Sequence, residues 1–239
     1  VATLLYASFA PAGVNRFVFA LFMGVAMSIT AFPVLARILT DRGLTKTPLG
    51  TTALACAAVN DAMAWVLLAA VVGVTRAMPS GGVPGEFVIA FAIGAAIPSR
   101  SALARAMAGW PSAIVTIVLL PAFFALTGLR TQVELVSSLS GWMTCLTIIL
   151  VATAGKLGGA ALAGRLSGMS WRLAAQLGAL MNTRGLMELI ALGVGLDAGI
   201  ISPALFTMMV VMAIVTTAMT SPLLDALGAL STSRRPARR

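Results

Sequence analysis

At 239 residues, the chain is 59% hydrophobic and 10% charged, has a mean hydropathy of +1.01, and carries a net charge of +9 without a single histidine. Soluble domains hold roughly 25% charged residues, which excludes a water-exposed globular surface, and no catalytic triad, phosphate loop or metal-ligand cluster stands in the sequence to support enzyme chemistry, a metal or a cofactor. The bases stand in short loops between apolar runs and form no single basic face, which excludes a nucleic-acid partner and leaves an all-α, polytopic transmembrane protein whose first partner is the lipid bilayer.

The opening "VATLLYASFAPAGV" has no methionine and no basic n-region; it reads as a loop or helix end in a piece of something longer. The first strong span runs from about Phe17 to Leu39 and contains "MSITAFPVLARIL". Pro33 cannot donate a backbone hydrogen bond and biases Phe32 away from the helical region, so the helix is expected to break near Thr30 to Pro33, with Ser28 just before. A loop with Arg37, Arg42 and Lys46 leads to a second span, about Leu49 to Val74, with Pro48 at its start. "TRAMPSGGVPGE" reads as a polar connection. "FVIAFAIGAAIP", residues 87–98, spans only about 18 Å as a helix against a hydrocarbon core of roughly 30 Å. The fourth segment is about Ser112 to Leu129, interrupted by Pro121. The fifth, about Trp142 to Ala163, holds Lys156 among Gly155, Gly158 and Gly159, which permit close helix approach. The sixth, about Ala174 to Gly195, contains "MNTRGLMEL", the seventh is about Pro203 to Leu224, and "STSRRPARR" makes a basic tail. Cys56 and Cys145, both inside spans, read as buried structural thiols, and Met208, Met209 and Met212 as packing or lipid-facing residues.

With seven alternating segments, the loops at 37–48, 98–110 and 164–172 share one side with the tail. They carry 11 bases (Arg37, Arg42, Lys46, Arg100, Arg105, Arg165, Arg172, Arg234, Arg235, Arg238 and Arg239), against Arg16, Arg76 and Arg130 opposite. The rule that basic loops stay inside makes the first side, and the C-terminus, cytoplasmic in a cell inner (plasma) membrane. Segments one and two also resemble segments six and seven. Each pair is a helix interrupted at a threonine, Thr30 or Thr183, then a loop, then a proline-started span at Pro48 or Pro203. Two broken helices in corresponding places of inverted halves point to the midplane site of a secondary transporter.

Asp61, at the middle of the second span, is the residue on which chemistry turns. A carboxylate in hydrocarbon must hold either a proton or a cation, and the competing reading is a permanently protonated structural acid. Asn60 beside it offers a carbonyl ligand or a brace for the carboxylate. The broken helices free carbonyl oxygens for a small cation and set half-helix ends at the midplane; Ser28 and Thr30 add hydroxyls. A kink that serves packing alone is the alternative. Lys156 pairs with an acid, offsets a helix dipole, exchanges a proton, or snorkels toward the side of Arg165. Arg184 and Glu188, four apart, share a face and form an ion pair if the helix continues there; a direct proton or ion role is the alternative.

"MSITAFPVLARILTDRGL", "AAVNDAMAWVLLA", "LLPAFFALTGLRT" and "MNTRGLMELIALGVGLDAGIISPALFTMMVVMAIVTT" together resemble the membrane domain of the monovalent cation:proton antiporter-2 family, which includes sodium/proton antiporters and potassium efflux systems. The resemblance covers about residues 10 to 225. It implies a core with two crossed, discontinuous helices in inverted repeats, interrupted at Thr30 to Pro33 and at Thr183 to Gly185. Asp61 then corresponds to the ion- and proton-carrying aspartate, Asn60 to a position where some members carry a second aspartate, and Lys156 to a lysine found in several members. Family members have more spans than the six full and one short counted here. The scaffold and homodimer helices placed early in the family chain and between Val74 and Phe87, and the cytosolic regulatory domain, are expected to be missing. Residues 1–230 are thus expected to form a transport core and 231–239 a basic tail. The function implied is exchange of Na⁺ or K⁺ for H⁺ by alternating access at Asp61, electroneutral at 1:1 because the pair holds one acid. The rival is a non-transporting truncated paralogue or accessory membrane subunit.

Overall fold

The computed structural model describes residues 2–80 and 115–228, and every regular element among them is helical. In chain order these are α1 (Ala2–Phe9), α2 (Arg16–Ser28), α3 (Phe32–Asp41) and α4 (Pro48–Ser80). A π-helical turn (Val115–Leu119) leads into α5 (Leu120–Arg130), and a 3₁₀ turn (Val133–Val136) precedes α6 (Leu139–Leu166). Then follow α7 (Trp171–Met181), α8 (Leu186–Asp197) and α9 (Pro203–Ala226). Arg16–Asp41, Pro48–Val71, Leu139–Leu166 and Pro203–Ala226 are long and apolar enough to cross a membrane, and α7 with α8 makes a fifth such span if taken as one, bent by 48°. The chain is a multi-pass helical membrane protein. The segment expected at 87–98, the basic stretch at 98–110 and the tail at 231–239 lie outside the described residues.

The two halves begin their second spans with the same chemistry. The Thr47 hydroxyl accepts the Gly50 amide at 3.1 Å just ahead of Pro48, and the Ser202 hydroxyl accepts the Leu205 amide at 3.4 Å just ahead of Pro203. A hydroxyl cap followed by proline satisfies one orphan amide and removes another, which fixes where α4 and α9 start.

Several expectations need correcting. Residues 2–9 form a helix, α1, whose Leu5 is buried and whose Tyr6 rests edge-on against Phe19 of α2. Phe32 is helical: Ile29 and Ala31 take the extended conformation instead, and Pro33 falls in the first turn of α3, where a missing N–H costs nothing. The α4 helix runs past Val74 to Ser80. Pro121 begins α5 after a π-helical turn, as expected where proline removes a helical bond and the ladder widens. Cys56 is exposed on α4 while Cys145 is buried. Met208, Met209 and Met212, by contrast, are core residues at most 1% exposed, in line with the packing reading.

The apolar core is divided by the breaks. One cluster gathers Phe19, Phe22, Ile29, Leu192, Phe206 and Met209; the other gathers Leu35, Leu39, Leu49, Ala57, Leu180 and Leu224. Between the clusters' borders in both broken helices lie Thr30, Asn182, Thr183, Arg184 and Glu188, all buried. At one end of the bundle Arg42 grips Asp225 at 2.5 and 3.0 Å and the Ser221 carbonyl at 3.1 Å, and Arg172 donates to the Leu227 carbonyl. The loop after α3 and the first turn of α7 therefore meet the end of α9. A second tie joins the ends of α5 and α8, where Arg130 meets Asp197 at 3.0 Å.

Candidate functional site

The two interruptions touch. The Ala31 amide donates to the Thr183 carbonyl at 3.0 Å, and the Thr30 hydroxyl to the Met181 carbonyl at 3.2 Å. Gly185 makes this approach possible: a Cβ there would stand 3.0 Å from Val34 Cγ2 and 3.1 Å from Ala31 Cβ. One break thus supplies backbone acceptors to the other, so the unwound segments satisfy part of each other's polar need away from water.

The C-terminal end of α2 presents carbonyls that no further turn can satisfy, together with the negative end of a helix dipole. Two cations converge on it. Lys156, from α6, donates its Nζ to the Ser28 carbonyl at 2.6 Å and also to that of Ile29. Arg184 reaches the Met27 carbonyl at 2.9 Å and that of Ala26 at 3.4 Å. The ammonium of Lys156 is turned into the crossing and does not snorkel toward Arg165. The expectation that this break frees its carbonyls for a cation is also corrected, since the four from Ala26 to Ile29 are occupied by the protein's own bases. Asn60 completes the closure: its Oδ1 accepts the Thr30 amide at 2.7 Å and its Nδ2 donates to the Ser28 carbonyl at 3.2 Å.

Acids stand at the opposite, positive ends. The Asp61 carboxylate lies within electrostatic reach of the Phe32 amide, first in α3, and its Oδ1 is buried without a hydrogen-bond partner among the described residues. Glu188 lies in the first turn of α8 and meets Arg184 at 2.7 Å, both side chains fully buried, with Oε2 unpaired among the described residues. The argument from a continuing helix does not apply, because Arg184 lies in the break; the pair forms because the unwound residue still points its side chain along α8. Ser28 and Thr30 donate their hydroxyls to the carbonyls of Val25 and Met181, which leaves their oxygen lone pairs as the part open to a ligand. A cavity of about 390 Å³ lies beside Lys156 and Ser28, walled by Gly24, Met27, Ala152 and Gly155.

Two residues escaped the sequence reading. Asn182, fully buried, caps α7 and donates weakly to the Thr216 carbonyl, with its Oδ1 unpaired among the described residues. Thr217 of α9 binds both backbone groups of Arg184. The signal for the second was present as "VTTAM", a polar couple inside an apolar span, much as Asn60 and Asp61 stand in theirs.

This arrangement can be set beside known proteins. The sequence is 40% identical to the Na⁺/H⁺ antiporter NhaS4 of Synechocystis over 263 aligned positions, covering 86% of this chain and 64% of that protein. It is 32% identical to the cation/H⁺ antiporter 17 of Arabidopsis thaliana, over 88% of this chain and 33% of the relative, and 29% identical to the K⁺/H⁺ antiporter 1 of Saccharomyces cerevisiae, over 86% and 31%. The chain therefore spans less than two thirds of the length of these relatives. The 263 positions also exceed its own 239 residues, so NhaS4 carries internal segments that this chain lacks. The transmembrane sodium/hydrogen exchanger family matches residues 1–110 and 82–226, a range that takes in both broken helices and every charged residue at their crossing. On that match the chain belongs to the sodium/hydrogen exchanger family.

Proposed function

We propose that this chain is the transport core of a monovalent cation:proton antiporter, with Asp61 as the group that carries Na⁺ or K⁺ in one direction and H⁺ in the other. The observation that carries the reading is the Asp61 carboxylate itself, set against the first break with one buried oxygen unpaired among the described residues. A carboxylate so placed is satisfied by either a proton or a cation, not by both, and that competition is exchange. Asn60, Thr30 and Ser28 offer oxygens around the same break, and the cavity beside Ser28 and Lys156 gives an approach to it. The charges at the crossing support an electroneutral 1:1 cycle. Lys156 and Arg184 balance Asp61 and Glu188, so one bound proton and one bound monovalent cation leave the site with the same net charge.

The names of the relatives divide between sodium, potassium and unspecified cations, and the exchange is proposed for the class without choosing between them. Flux of ²²Na⁺ or ⁸⁶Rb⁺ into proteoliposomes, driven by a pH gradient, tests the proposal. The wild-type chain shows gradient-driven uptake that Asp61→Ala reduces to background, and clamping the membrane potential leaves the rate unchanged. Absence of flux from the wild-type chain overturns the reading in favour of an accessory subunit, which the internal segments lacking relative to NhaS4 make the specific rival. Uptake that ignores the pH gradient overturns it in favour of a leak.

A further inference from the structure

Three threonines crowd the middle of α9, and two of them behave as threonines in helices ordinarily do. Thr216 donates its hydroxyl to the Met212 carbonyl at 2.8 Å, and Thr220 donates to the Thr216 carbonyl at 3.3 Å, each one turn back on its own helix. Thr217 does not. Its hydroxyl accepts the Arg184 amide at 2.8 Å and donates to the Arg184 carbonyl at 2.9 Å, closing both backbone groups of a residue 33 positions earlier, in the break between α7 and α8. A hydroxyl, with one donor and two lone pairs on a single atom, can serve both an N–H and a C=O in this way.

Arg184 needs such a partner. In a continuous helix its amide would bond to the Leu180 carbonyl, but that acceptor is taken by the Thr183 amide at 3.2 Å and by the Thr183 hydroxyl at 2.9 Å. The residue held in this way supplies the guanidinium that caps Ala26 and Met27 at the end of the first break and pairs with Glu188. In the other half Asn60 of α4 closes the Thr30 amide and the Ser28 carbonyl. In both halves the span that follows a broken helix puts one small polar side chain into the break and satisfies both a donor and an acceptor there.

We infer that Thr217 is the positioning residue of the second break: its hydroxyl fixes the Arg184 backbone and thereby sets where the guanidinium meets the end of α2, the counterpart of Asn60 in the opposite half. In its transport consequence the inference rests on the antiport reading; in its structural consequence it does not.

The full chain in lipid nanodiscs and in proteoliposomes separates the two. Thr217→Val keeps the shape and removes the hydroxyl, Thr217→Ser keeps the hydroxyl, and Thr216→Val removes a hydroxyl that serves only its own helix. Amide hydrogen exchange over residues 182–187 is expected to quicken about tenfold or more in T217V, the loss of a buried hydrogen bond being worth about that factor, and to stay within about twofold of wild type in T217S and T216V. In the flux assay T217V is expected to raise the half-saturating cation concentration about tenfold and displace the pH profile, with T217S restoring both. Unchanged exchange in T217V overturns the inference whatever the flux. Quickened exchange without wild-type flux upholds it and removes the antiport reading alone. If T217V does not reach the membrane, T217C, whose thiol is only a weak donor and acceptor, is read by the same criteria.

Discussion

At the first break the last carbonyls of α2 are taken by Lys156, Arg184 and Asn60, side chains from three other parts of the chain. At the second break the Ala179 and Leu180 carbonyls are taken by the amides of Asn182 and Thr183 and the hydroxyl of Thr183, from within the same segment. The halves are alike in outline and unlike in electricity. One is closed by charges, whose attraction must offset a large desolvation cost and which fail together when a partner is lost or changes its ionisation. At the other, the Ala179 and Leu180 carbonyls are closed by neutral groups, while its buried acid, Glu188, stands apart from them at the start of α8 and pairs with Arg184. Asp61, the carboxylate proposed to trade its neutralising partner, stands at the charged break. The second break sends its one base, Arg184, across to it. On the proposed antiport function, coupling between ligand and helix geometry would belong to the first break, with the second as the reference against which it moves.

Removing Arg184 is the strongest way to break this contrast. Arg184→Ala uncaps Ala26 and Met27 and leaves Glu188 fully buried without its cation. Stranding one member of a buried pair costs about 3–5 kcal/mol, so a large fall in the thermal midpoint in detergent is expected. The double variant Arg184→Met with Glu188→Leu recovers most of it, since apolar replacement of a whole buried pair is often neutral. If the double variant is no more stable than R184A, the capping of α2 outweighs the ion pair, and the first break depends on Arg184 more heavily than the contrast supposes.

A smaller change sharpens the comparison. Asn60→Ala leaves the Thr30 amide without its acceptor and the Ser28 carbonyl with Lys156 as its donor. One lost buried partner costs about 1–3 kcal/mol. The expected readout is faster amide exchange confined to residues 28–33, with residues 180–187 unaffected. Exchange that quickens at both breaks would show that they open as one unit.

How much of this was legible follows from what each residue signals to its own neighbours. Pro33 marks the first break because proline acts on adjacent backbone. Asp61 marks itself, a charge in an apolar span being rare. The second break holds no proline, and its place came from the likeness of Thr183 to Thr30 in the first half and from the family resemblance. The partners of Lys156 lie 127 and 128 residues away on a helix end, and periodicity reports only which residues share a face of one element, so its target was one of several readings. Thr217 was silent for a related reason. A threonine in a helix normally bonds its own preceding turn, and only the unwound backbone of another helix draws its hydroxyl away. The helix at α1 was overlooked because its eight residues are too short for a membrane span and carry no cap signal.

The least effect is expected where both broken helices meet the bundle's ends. Just beyond α3, Arg42 holds Asp225 through two contacts, with its side chain only 13% exposed; at the end of α8, Asp197 meets Arg130 with the side chains 63% and 41% exposed. Exposed single pairs contribute at most about 1 kcal/mol and are screened by salt. A double-mutant cycle across Arg130 and Asp197, read from thermal midpoints, is therefore expected to return under about 1 kcal/mol at low salt and less as salt rises. The cycle across Arg42 and Asp225 should return the larger and less salt-sensitive coupling, because that guanidinium is sheltered and also holds the Ser221 carbonyl. That order would place the firmer outer tie on the helix with the charged break, so that motion started at Asp61 is resisted at one end of α3 and freed elsewhere. The reverse order would place the firmer tie on α8 and move the fixed reference to the first half.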